Sequence, residues 1–98
     1  MVFEVAEFRV KEGMTEEFVA GTLASQSIFK QAPGFISLQL HQEVEDPLNF
    51  VIMVKWESIE KHIEMQNSDL RLQLREKIFH CLERPPKMRH TTIRSDIE

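Results

Sequence analysis

An α+β fold built around one antiparallel sheet is what this sequence predicts, and three observations carry the prediction. Residues 2–11 alternate with a period of two, residues 15–31 repeat their inward positions by threes and fours, and residues 35–43 and 49–56 form two strand-forming runs separated by a turn. Strand, helix and hairpin therefore follow one another within the first half of the chain.

In the first strand Val2, Glu4, Ala6, Phe8 and Val10 alternate with Phe3, Val5, Glu7 and Arg9. Both sets mix apolar and charged residues, so alternation alone leaves open which parity meets the helices. Lys11-Glu12-Gly13 makes a turn, and the Thr15 hydroxyl is a candidate helix cap, with Glu16 and Glu17 set against the positive end of the helix dipole. Met14, Phe18, Thr22, Ser25, Phe29 and Ala32 then form one inward stripe over residues 15–31, closed by Pro33-Gly34.

The second strand runs from Phe35 to about Glu43, with Ile36, Leu38 and Leu40 on one face and Ser37, Gln39 and His41 on the other. Glu45-Asp46-Pro47 reads as the turn into a third strand, Asn49 to Trp56. Phe50 to Val54 is apolar at every position, which leaves no wet face and calls for cover on both sides. Ser58 caps a short helix over 59–66, and Ser68 or Asp69 opens another over 69–83. In that helix Leu70, Leu74, Ile78, Cys81 and Leu82 point inward while Leu72 and Phe79 point away. Pro85-Pro86 ends it, and Met88–Arg94 reads as a last strand.

The order β-α-β-β-α-β with helices on one face of a four-stranded antiparallel sheet is the ferredoxin-like arrangement. We expect one domain over 1–98, with its core at about 2–94 and a loose tail at 95–98. A second copy of the chain is the simplest cover for the open sheet face, so a homodimer is expected.

With 98 residues, 42% hydrophobic and 29% charged, the chain has ordinary globular composition. Its net charge of −4 argues against a nucleic-acid partner, which would need a concentrated basic face. No apolar run approaches membrane-spanning length, and Glu4, Glu7 and Arg9 interrupt the N-terminal apolar stretch, so no membrane association and a cytoplasmic location are expected. The single cysteine, Cys81, excludes an internal disulfide and reads as a buried small hydrophobe.

Four segments in order, VAEFRVKEGMTEEF near the start, APGF at 32–35, VKWESIEKH at 54–62 and PPKMRHTTI at 85–93, resemble the antibiotic biosynthesis monooxygenase (ABM) superfamily over about residues 2–94. The resemblance implies a dimeric α+β barrel. Its relatives include cofactor-independent oxygenases of phenols and quinols, haem-degrading enzymes and members of no established activity. The haem-degrading branch implies an Asn, a Trp and an axial His where this chain has Ala6, Met65 and Arg75, so haem degradation is not expected. The actinorhodin-type branch implies a Trp that Trp56 matches, together with an Asn and a Tyr where this chain has Ile52 and His62.

The site expected from these readings has His62 as the base and Trp56 as a wall that stacks on a flat substrate. Thr22, Ser25, Phe50, His41 and His90 are further candidates for lining it. The four histidines show no helical i, i+4 pairing, so no metal is expected, and the reaction type implied needs no cofactor. Two functions stay open. One is a cofactor-independent monooxygenase that acts on a small aromatic phenol or quinol with O2. The other is a non-catalytic dimeric barrel that binds a small apolar molecule or stabilises a partner.

Overall fold

The computed structural model describes residues 1–98. Its central strand is β1 (Val2–Arg9), which pairs antiparallel with β3 (Asn49–Trp56) on one side and with β4 (Lys87–Thr91) on the other. β2 (Phe35–Gln42) completes the sheet outside β3, so the strand order is β2-β3-β1-β4. The helices α1 (Thr15–Ala24), α2 (Gln26–Phe29), α3 (Ile59–Gln66) and α4 (Asp69–Ile78) bring the core residues of the helical layer against one sheet face. This is the α+β, ferredoxin-like arrangement predicted from the sequence. No helix is long and apolar enough to cross a membrane.

The parity that alternation left open is decided by burial. Glu4, Ala6, Phe8 and Val10 face the helices together with Phe50, Ile52, Val54 and Trp56 of β3. The other face of β3, with Val51 and Met53, is half-buried in the single chain. Fourteen buried side chains form one apolar cluster between sheet and helices.

Three elements differ from their expected form, each for a local reason. The inward stripe of the first helix is buried as expected from Phe18 to Ala32, but the helix breaks at Ser25, and Met14 rather than Thr15 is its N-cap, with no side-chain cap. Thr22 Oγ1 donates to Phe18 O at 2.9 Å and Ser25 Oγ to Gly21 O at 2.8 Å, back-bonding that competes with the helical ladder where it breaks. In β2 a register shift between Phe35 and Ser37 turns Ile36 outward, so Phe35, Leu38 and Leu40 share the core face instead of Ile36, Leu38 and Leu40. The last helix stops at Ile78 and tightens into a 3-10 turn over Phe79–Cys81, which swings Phe79 back toward the core rather than away from it.

Two glycines set the helix positions. Gly34 has φ +86°, and a Cβ there would collide with the Lys61 side chain at 2.5 Å. At Gly21 a Cβ would run into the backbone carbonyl oxygen of Lys77, so only glycine lets α1 approach α4 this closely.

Candidate active site

Between the sheet and helices α1, α3 and α4 lies a cavity of about 130 Å3. Its wall is mostly apolar, with Ala6, Phe29, Ile52, Met65, Ile78 and Phe79 among the residues that form it. Of the candidates named from the sequence, Thr22, Ser25 and His62 line it. The hydroxyls of Thr22 and Ser25 are spent on backbone carbonyls of their own helix, so they add little free polarity.

α3 brings His62 to the cavity wall. Ser58 caps that helix by accepting from Lys61 N at 3.3 Å, and its buried residues are His62 and Met65, while Ile59 and Ile63 stay exposed. His62 is therefore on the inward face of α3 together with Met65.

Trp56, Phe50 and His41 do not line the cavity. Trp56 is fully buried, and its indole face stacks on the His62 ring at 5.2 Å between centroids and 18° between planes, so the wall expected for a substrate is already occupied. Phe50 packs on Phe18 at 4.9 Å in the opposite part of the core. His41 pairs with Val51 on the open sheet face, where it is exposed and bonds Gln39 at 3.0 Å.

The residue missed by sequence reasoning is Glu4. It is 6% exposed, lines the cavity, and its Oε1 accepts from Trp56 Nε1–H at 3.0 Å. The same oxygen lies 3.0 Å from His62 Nε2, and His62 Nδ1 lies 2.7 Å from His90 Nε2. His90 sits directly across from Glu4 in the β1–β4 register, on an exposed strand. A continuous chain of contacts thus runs from Trp56 through Glu4 and His62 to His90 at the surface. Oε1 takes both contacts of the carboxyl group. Every fully buried side-chain oxygen in the protein has a partner, so Oε2, which has none, is accessible, and the cavity is the space this carboxyl group lines.

Burial sets the charge of this chain. It raises the Glu4 carboxyl to about 7, against the Trp56 hydrogen bond that pulls it down. Burial, and then the neighbouring His90, lowers the His62 imidazolium to about 4. Between about pH 4 and pH 7 the pair is therefore a carboxylic acid beside a neutral imidazole rather than an ion pair, despite its 3.0 Å separation.

A different cluster could offer metal ligands. One atom each from Glu17, His80 and Cys81 lie within 4.8 Å of one another. Burial, followed by Glu17, raises the Cys81 thiol, which works against the thiolate a metal takes.

The antibiotic biosynthesis monooxygenase family model matches residues 1–77. The chain belongs to the ABM family. A Bordetella bronchiseptica structure provisionally described as an ABM superposes with a TM-score of 0.92 at 26% identity, covering 94% of this chain and 95% of that one. SnoaB of Streptomyces nogalater, described as a cofactor-independent oxygenase, shares the fold at a TM-score of 0.85 and 19% identity, covering 98% and 95% of the two chains. Among proteins of known sequence, the uncharacterised YczJ of Bacillus subtilis is 28% identical over 91 residues, 92% of this chain and 96% of YczJ. A 42.8 kDa protein in the whiE locus of Streptomyces coelicolor is 28% identical over 85 residues, and the match spans 21% of its length.

Proposed function

We propose that this ABM protein is a cofactor-independent monooxygenase of small phenols or quinols in which Glu4, backed by His62 and His90, accepts the substrate proton. The observation that carries the reading is a chain of contacts that starts at buried Glu4 and His62, both on the wall of a mostly apolar cavity, and ends at exposed His90. A cavity of similar size, about 150 Å3, holds benzene in an engineered protein interior, so one aromatic ring fits here.

The chemistry follows from the geometry. Above about pH 7 Glu4 is a carboxylate with one oxygen free, and a base poised near the working pH is the effective kind. Taking the phenolic proton leaves an electron-rich aromatic anion in a dry pocket. That anion reduces O2 directly. For a hydroquinone the balance is hydroquinone plus O2 to hydroxyquinone plus water: one oxygen atom enters the ring, the other leaves as water, and the substrate supplies every electron. No flavin, haem or metal is required by that balance. A half-turn of the carboxyl group brings the protonated oxygen to His62 Nε2, and the proton then passes on as the Nδ1 proton of His62 moves to His90 Nε2 and His90 hands its own to solvent. Trp56 holds the Glu4 carboxyl in place from behind. The homodimer belongs to the same proposal: Val51 and Met53 on the open sheet face offer the apolar surface for a second copy.

Oxygen uptake by the pure protein with a panel of hydroquinones tests the reading. Glu4→Gln, which keeps the shape of the side chain, is expected to reduce uptake by about 100-fold or more. Uptake that is absent with every quinol, or untouched by Glu4→Gln, sinks the oxygenase reading in favour of a barrel that only binds.

A further inference from the structure

We infer that the cavity selects an aromatic carboxylate: a single ring with an ionisable hydroxyl at the Glu4 end and a carboxylate held by Arg71 and Arg75 at the mouth. The inference deepens the proposed function, and rests on it only for the hydroxyl end of the ligand.

Arg71 and Arg75 both line the cavity and both are exposed, so they stand where it meets solvent. They sit one turn apart on α4, a spacing at which two like charges repel unless an anion lies between them. Neither guanidinium has a carboxylate within ion-pair distance or a side-chain hydrogen bond, although Arg9, Lys61 and Arg89 each find an acid. Among the residues that line the cavity, Arg71 and Arg75 are the arginines and Glu4 is the acid, so its two kinds of charged side chain are set apart within one space. Arg75 is further held in place, with its guanidinium 4.4 Å from the centre of the Phe79 ring. Phe79 itself lines the cavity, so the ring that steadies Arg75 also bounds the space for the ligand.

The rest of the lining sharpens the class of ligand. Thr22 and Ser25 have spent their hydroxyls, so the free polarity lies in the Glu4 carboxyl, the Gln66 amide and the two arginine forks at the opening, and of these only the arginines are cationic. A planar carboxylate matches a guanidinium fork through two parallel hydrogen bonds, which a neutral substituent cannot do. The volume admits one ring between the two ends.

The quenching of Trp56 fluorescence gives the binding measurement, because the chain has one Trp and no Tyr, and that Trp hydrogen-bonds Glu4. Titrations use 2,5-dihydroxybenzoate, 2,5-dihydroxyphenylacetate and neutral hydroquinone, with oxygen uptake followed in the same samples. At low ionic strength we expect at least one of the acids to bind about tenfold or more tightly than hydroquinone, with the preference shrinking as salt is added. In the double variant Arg71→Gln/Arg75→Gln, both on the exposed surface, the ratio of acid to hydroquinone affinity should fall to about twofold or less. Equal affinity for acid and neutral ligand, or a preference that survives the double substitution, overturns the inference. An acid preference without oxygen uptake overturns the oxygenase reading alone. Uptake with hydroquinone and no acid preference overturns the inference alone.

Discussion

The two ends of β1 bury opposite kinds of side chain against the same helical layer. At one end Phe8 meets Phe18 at 5.4 Å and Phe18 meets Phe50 at 4.9 Å, a tilted aromatic stack without a polar atom. Only four residues away, Glu4 is buried among Trp56 and His62 beside the cavity. The contrast teaches where each property of the molecule resides. Close packing at the phenylalanine end stabilises the fold, and the rigidity it gives lets the other end keep a buried acid and an unfilled space, both of which cost stability.

The largest expected consequence is at the packed end. Phe18→Ala should cost about 3–5 kcal/mol of unfolding free energy in urea, since Phe18 is fully buried and touches rings on both sides. A loss below about 1 kcal/mol would mean that this end is no more tightly packed than the cavity.

The next effect concerns pH. A carboxyl raised to about 7 contributes stability that is present at low pH and disappears as pH rises from its ordinary value of 4.5 toward 7. An imidazolium lowered to about 4 does the reverse, so stability is gained as pH rises from 4 to 6.5. The two slopes oppose each other between about 4.5 and 6.5, where the pair holds one proton whether the chain is folded or unfolded. The intact protein should thus show little pH dependence from this pair. His62→Phe keeps the ring stacked on Trp56 and leaves the Glu4 slope uncovered, so its melting temperature should fall as pH rises from 4.5 to 7. A melting temperature that rises over that interval would contradict the assignment of charge.

The smallest effect separates the ends by helix. Ser58→Ala removes the cap of the helix that carries His62 and should cost about 1 kcal/mol. Hydrogen exchange should quicken in α3 and hardly change in α1, which has no side-chain cap to lose.

Much of the fold was legible because it rests on periodicity. Strands and helices appear in their predicted order, and the stripe Phe18, Thr22, Ser25, Phe29 is buried as spacing implied. What spacing could not supply was any feature that breaks it. The bulge at Ile36 shifts the parity of β2 partway, and an apolar residue gives no sign that it will be turned outward. The site was harder to read for a related reason. Glu4 lies in a strand where both parities carry a charge, so the alternation that places Phe8 inward is also the only sign that Glu4 goes with it. His62 and His90 are 28 residues apart and meet only because β4 returns beside β1. Trp56 stood out as a large aromatic, yet its face was already taken by His62.

The position of β4 has a further consequence. It is the shortest strand, it hydrogen-bonds to β1 alone, and every one of its five residues is exposed. Such an edge frays far more often than the whole chain unfolds. The link between Glu4 and solvent therefore has a lifetime of its own, set by how long His90 stays docked, and it can open and reseal without any loss of packing among Phe8, Phe18 and Phe50.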